Sequence, residues 1–156
     1  MPVGASELHF VGAMPIYMLL GFVPTLVGFA AGLLMQGLLF EPQDLVHLGV
    51  NSLSLMVPLM VLHHSIGKRL AGQFNVKNIL KLDASYYAGV TVMVGFWLSM
   101  GTEATPFADW ALFASSYLGL VVVEPFITYG LVRLAQTAKN TAWAHKCFDE
   151  RVLAAA

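Results

Sequence analysis

Three groups of side chains have the types and spacing for chemistry, and each lies in or beside an apolar run. His9 stands two residues after Glu7, where a neutral imidazole can offer nitrogen to a borderline transition metal such as cobalt(II) or nickel(II). An interfacial histidine that only forms hydrogen bonds would leave the same trace. Asp44, His47 and Asn51 recur at i, i+3 and i+7, which puts them on one helix face if Pro42 opens the helix as its first residue. That face is expected to look into an outer mouth, shaping a site or lining the approach of a cation. Alternatively, Asp44 favours the positive end of a helix dipole and Asn51 bonds a neighbouring helix. Glu124, followed by Pro125, lies deep in a third apolar run, where burying an acid costs about 2.5 to 3.5 kcal/mol even on a lenient insertion scale. It is expected to be protonated, to bond backbone groups freed by Pro125, or to lie on an ion path. Gln36 poses a milder form of the same problem, and interhelical hydrogen bonding is its expected answer.

Other polar and sulfur-bearing residues read as structural. His63 and His64 precede Lys68 and Arg69, a placement suited to anchoring at a membrane interface and not to metal ligation. His145 falls in a basic tail expected to be a solvated or membrane-surface helix. Met14, Met18, Met35, Met56, Met60 and Met93 are expected to fill the core. The single Cys147 excludes an intrachain disulfide and a multi-thiolate zinc site. No G-x-x-x-x-G-K-[ST] loop is present, so the chain is not expected to hydrolyse ATP, and a chain of this length and composition leaves no room for a separate enzyme domain.

The elements that must position these residues are membrane spans. Apolar residues make up 58% and charged residues 11% of the chain, and the mean hydropathy is +0.72; a water-soluble domain would carry about twice that charge. The expected fold is all-α, a polytopic helical membrane protein with about five transmembrane helices. The spans are placed at Leu8 to Leu20, Pro24 to Phe40, Leu45 to Ile66, Ala84 to Met100 and Trp110 to Leu134, with Gly21 and Pro24 marking the first turn. Residues 1–156 then form a single membrane domain, with 135–156 as a cytoplasmic C-terminal tail. Lys68, Arg69, Lys77 and Lys81 occupy one loop, and Arg133, Lys139, Lys146 and Arg151 follow the last span. The positive-inside rule makes both regions cytoplasmic, with the N-terminus out and the C-terminus in. The opposite side carries Glu7, Glu41, Asp44, Glu103 and Asp109 and no basic residue, which would concentrate cations. A near-neutral net charge gives no reason to expect a nucleic-acid partner. No signal peptide precedes Leu8, and the outward start leads to the expectation that the native chain begins further upstream. Gly28 and Gly32 are expected to let helices approach closely, as are Gly89, Gly95, Gly119 and Gly130.

Several spaced motifs carry a resemblance. Ser6-Glu7-Leu8-His9-Phe10-Val11-Gly12, Leu34-Met35-Gln36-Gly37-Leu38-Leu39-Phe40, Leu48-Gly49-Val50-Asn51 and Pro58 together resemble the CbiM/NikM family. These are the cobalt and nickel substrate-binding membrane components of energy-coupling factor ABC transporters. The match covers about Val3 to Arg69; Lys81-Leu82, Tyr86-Tyr87-Ala88-Gly89-Val90 and Glu124-Pro125 look like a branch of the same group. The resemblance implies cobalt(II) or nickel(II) as a transported substrate, no prosthetic group, and a multi-pass place in the inner (plasma) membrane. Implied partners are membrane lipid, a transmembrane coupling subunit and separate ATPase subunits. In the family the metal is held in a nearly planar arrangement by the N-terminal amine, a following backbone amide nitrogen and two histidines. His9 matches one of these histidines. The other is the second residue of a Met-His start, where this chain has Pro2, so the resemblance implies an N-terminally truncated sequence. Asn51 would shape the site through bonds to its ligands, with His47 and Asp44 on the approach. The loop Glu41-Pro42-Gln43-Asp44 departs from the Gly-rich loop usual in the family. Two other readings are a histidine-ligated membrane haem or redox protein, pairing His9 with His47 at one depth, and a non-catalytic structural subunit of a membrane complex.

Overall fold

Two glycines with left-handed backbone bracket the first helix. Gly12 has φ 58° and Gly21 has φ 89°, conformations that cost an L side chain about 1 kcal/mol or more; between them runs α1, Ala13–Leu20. In this computed structural model, residues 12–101 and 106–154 are described in full and residues 2–3 and 6–7 as backbone. Two-residue strands β1 (Pro2–Val3) and β2 (Ser6–Glu7) pair antiparallel, Pro2 opposite Glu7 and Val3 opposite Ser6.

Beyond Gly21 the chain is helical almost throughout. Helix α2 (Phe22–Leu39) carries Pro24 in its first turn, where the missing N–H has no intrahelical partner to lose. A 3-10 turn over Pro42–His47 leads into α3 (Leu48–Leu62), a π-type turn over His63–Gly67 and the short α4 (Lys68–Leu70). Asn75 then caps α5 (Val76–Ser99), its side chain accepting the Asn78 N–H at 2.9 Å. Helix α6 (Phe107–Thr137) follows, and the tail folds into α7 (Ala144–Cys147) and α8 (Glu150–Ala154).

Burial runs opposite to that of a water-soluble bundle. Val27, Leu38, Leu118, Val122 and Phe126 are exposed along α2 and α6, as hydrocarbon solvent requires. By length and composition, three stretches of the described residues are able to cross a membrane: Phe22–Leu39, Pro42–Leu70 and Phe107–Thr137. Helix α5 is long enough at 24 residues, about 36 Å at 1.5 Å per residue, but Asp83, Ser85, Tyr86 and Tyr87 make it less apolar. It packs against both α3 and α6.

The first span differs most from expectation. Within the described residues its helix has eight residues, about 12 Å of rise against a hydrocarbon core of about 30 Å. It is also the most enclosed element, with Ala13, Met14 and Tyr17 fully buried and α6 and α2 packed beside it. The fourth helix starts eight residues before the expected Ala84, so Lys77 and Lys81 lie on α5 and not in a loop. Asn75 as a cap explains this start.

The glycines divide. A Cβ on Gly89 would come within 2.9 Å of Pro58 Cβ, and one on Gly95 within 2.7 Å of Trp110 Nε1, so these two do permit close approach. Gly28, Gly32, Gly119 and Gly130 meet nothing within 4 Å, and the expected packing role of the Gly28/Gly32 pair does not hold. Met14 and Met18 are core residues, whereas Met35 and Met60 face outward. The tail divides: His145, Lys146 and Cys147 of α7 are exposed, as a solvated or membrane-surface helix would have them, whereas α8 docks on the bundle. Val152 and Leu153 are buried, Asp149 N–H donates to Leu19 O at 2.7 Å, and Gln136 Nε2 donates to Val152 O at 3.3 Å.

A candidate cation cleft and a buried carboxyl cluster

The open glycines border a cleft. Gly28 and Gly32 of α2 form part of its wall, with Gln36, Asp44, His47, Asn51 and Ser54 supplying the polar groups, in a volume of about 760 Å³. The sequence placed Asp44, His47 and Asn51 on one face, and the structure brings all three to this one cleft although Asp44 and His47 lie on a 3-10 turn. Pro42 opens that turn at its first position. Asp44 and Asn51 are half-buried and His47 is exposed. Gln36 Nε2 donates to Glu41 Oε2 at 2.7 Å, a bond inside the α2–α3 connection. Trp97, Phe113 and Tyr117 from α5 and α6 close the far side, and the Trp97 indole N–H is buried with no partner.

Carboxylate, imidazole, amide and hydroxyl groups together suit a borderline divalent cation. Among the described residues, however, no group of three or more His, Cys, Asp or Glu could hold a metal ion. His9, the candidate ligand, lies outside the described residues, as does Glu103. The cleft by itself therefore offers an approach and outer contacts, not a closed coordination shell.

Below the cleft the polar residues turn inward. Tyr117 stacks on Tyr87 with ring centroids 4.9 Å apart, and the Tyr87 hydroxyl donates to Glu124 Oε2. Glu124 Oε1 accepts the Met14 N–H at 3.1 Å. Met14 is the second residue of α1, whose preceding Gly12 supplies no side-chain cap, so Glu124 satisfies one of the open N–H groups of that helix and places a carboxylate at its positive end. Of the three expected answers to the buried acid, backbone bonding is present, but to another helix and not to groups freed by Pro125. Asp83, one turn from Tyr87 on α5, is fully buried with neither carboxylate oxygen hydrogen-bonded. Sequence reading missed it by placing it in a loop. The signal was present: Ile79, Leu82, Tyr86 and Val90 form the buried stripe of α5, and Asp83 shares it.

At the other end of the bundle the histidines serve structure. Tyr17 Oη and His63 Nδ1 lie 2.8 Å apart, Phe22 stacks on His63 at 4.0 Å, and exposed His64 pairs through Nδ1 with Met60 O at 2.9 Å. Arg151 binds Asp149 at 2.8 Å beside them. Nearby Lys68, Arg69, Lys77 and Lys81 are exposed, so this is the basic end, while the cleft with Asp44 marks the acidic end.

An apolar-faced helical bundle with a polar cleft at one end defines a multi-pass membrane protein. The chain belongs to the CbiM family, the cobalt uptake substrate-specific transmembrane region, whose pattern it matches over residues 1–142. Cobalt is accordingly the transported substrate, and the chain is a transport component in contact with lipid. Neither a curated protein nor a solved structure matches the chain. The haem and structural-subunit readings are not favoured by this membership.

Proposed function

We propose that the chain captures cobalt(II), or nickel(II), on the outer side of the membrane and delivers it to a transporter of the energy-coupling factor type. A transmembrane coupling subunit and separate ATPases would supply the energy. The observation that carries this reading is the cleft, in which Asp44, His47 and Asn51 converge at the acidic end of a cobalt-uptake family member. With that end outward and the basic end cytoplasmic, the threading obeys the positive-inside rule. His9 is the proposed ligand, Asn51 shapes the site, and Asp44 and His47 receive the ion on its approach. Acidic lining speeds cation arrival more than it tightens final binding.

The test is cobalt and nickel binding by the purified full chain beside His9→Ala and a His47→Ala, Asp44→Asn double variant. Stoichiometric binding lost in His9→Ala, and only slowed in the double variant, is the expected result. Unchanged binding in His9→Ala would remove His9 from the site.

A further inference from the structure

Helices α5 and α6 run antiparallel, as three contacts in order show. Trp110 Nε1 reaches Thr91 O at 3.1 Å, Tyr117 stacks on Tyr87, and Tyr87 bonds Glu124. One further turn toward the basic end brings Asp83 on α5 and Thr128 on α6 to the same level. Both are fully buried, and the two carboxylate oxygens of Asp83 and the hydroxyl of Thr128 have no hydrogen-bond partner. Buried polar atoms without a partner are rare in a packed interior, and a carboxylate among them calls for neutralisation.

Charge narrows the choice. Glu124 is brought near Asp83 by its bond to Tyr87, one turn along α5. On α5 itself Lys77 and Lys81 are exposed, as are Lys68 and Arg69 of α4. The titratable groups turned inward nearby are the hydroxyls of Tyr86 and Tyr87 and, from α1, Tyr17, already paired with His63 beyond the end of α3. Two carboxylates with no cation beside them among the described residues, in hydrocarbon-like surroundings, are untenable together as ions. Glu124 accepts two hydrogen bonds and Asp83 accepts none. No three-ligand metal group includes either among the described residues, and the cleft lining stops at Tyr117.

We propose that Asp83, buried without a partner and one turn from the Tyr87 that bonds Glu124, forms an internal proton-binding site that is occupied at neutral pH. As a carboxylic acid Asp83 carries no charge into the interior, while Glu124 stays the acceptor that holds α1. The site lies one tyrosine pair beneath the cleft, which Tyr117 lines and below which it stacks on Tyr87.

The proposal is tested by infrared spectroscopy of the metal-free full chain in lipid nanodiscs at neutral pH, with and without carbon-13 in the aspartate side-chain carboxyl. The expected result is the carbonyl stretch of a protonated carboxylic acid that shifts with aspartate labelling and in heavy water, and is lost in Asp83→Asn. Labelling needs no variant, so a folding failure of Asp83→Asn leaves the test intact. Absence of the band, its indifference to aspartate labelling, or its disappearance when choline is replaced by sodium would each overturn the proposal. None of these readouts depends on whether cobalt binds.

Discussion

Glu124 Oε1 lies 3.1 Å from the Met14 amide nitrogen, so an acid in the middle of α6 caps the first turn of α1 across 110 residues of sequence. The short helix has no side-chain cap of its own, and in a bilayer interior no water replaces one. Removing the acceptor strands both the Met14 N–H and the Tyr87 hydroxyl at about 1 to 3 kcal/mol each. Glu124→Ala is therefore expected to destabilise the protein by about 2 to 6 kcal/mol, and Glu124→Gln by less than half as much because its amide oxygen can accept. Thermal or denaturant unfolding in detergent measures both. Equal losses would show that charge, and not the acceptor, matters.

The glycines make opposite predictions along two helices. Gly28 and Gly32 face open space, so Ala there removes only the helix penalty of glycine and should stabilise by up to about 1 kcal/mol. Gly89→Ala drives a methyl to 2.9 Å from Pro58 Cβ and should cost about 1 to 3 kcal/mol through displacement of α3 from α5. Because Gly28 and Gly32 line the cleft, a phenylalanine at either position should slow cobalt uptake without unfolding the bundle. Stability and uptake assays on the same variants separate packing from access.

How legible this was follows from the physics of each feature. Helices were readable because apolar runs and loop charges act locally; Gly21 and Pro42 mark turns wherever they occur. The convergence of Asp44, His47 and Asn51 was readable from helical spacing. The short enclosed α1 was not, because its burial depends on Glu124 far along the chain, and no local pattern announces a cap from another helix. Gly28 and Gly32 misled for a related reason: a small-residue spacing permits both close packing and a cavity wall, and only the partner helix decides. Asp83 was lost with the boundary at Ala84, although the Asn75 cap and the apolar stripe of α5 both place it inside a helix.

Gly67, at the close of the π-type turn, leaves the space that Tyr17 needs to meet His63. A Cβ there would stand 2.6 Å from Tyr17 Oη, while that oxygen is 2.8 Å from His63 Nδ1. Gly67→Ala should cost about 1 to 3 kcal/mol, and Tyr17→Phe a smaller amount for the lost hydrogen bond. Combined, they should cost less than their sum, since removing the hydroxyl removes the clash. Strict additivity in a double-mutant cycle would mean that the alanine is accommodated elsewhere.

The docked tail gives a pH dependence with a defined sign. Hydrogen bonds from Arg151 hold the Asp149 carboxyl below its ordinary value of 3.8, and the same carboxyl raises Arg151 further above the ordinary guanidinium range. A carboxyl depressed in the folded state contributes stability that is complete above its unfolded value and is lost as pH falls through the folded one. Arg151 stays charged throughout, so Asp149 sets the window, which lies below pH 3.8. The pair is partly exposed at 34% and 20%, and its contribution is under about 1 kcal/mol. Amide hydrogen exchange of α8 should therefore be flat from neutral pH down to mild acid and speed up only below that window, after correction for intrinsic exchange. Asp149→Asn should show the faster exchange already at neutral pH. A variant as protected as the parent chain would assign the docking of the tail to Val152, Leu153 and the Asp149 backbone bond to Leu19 alone.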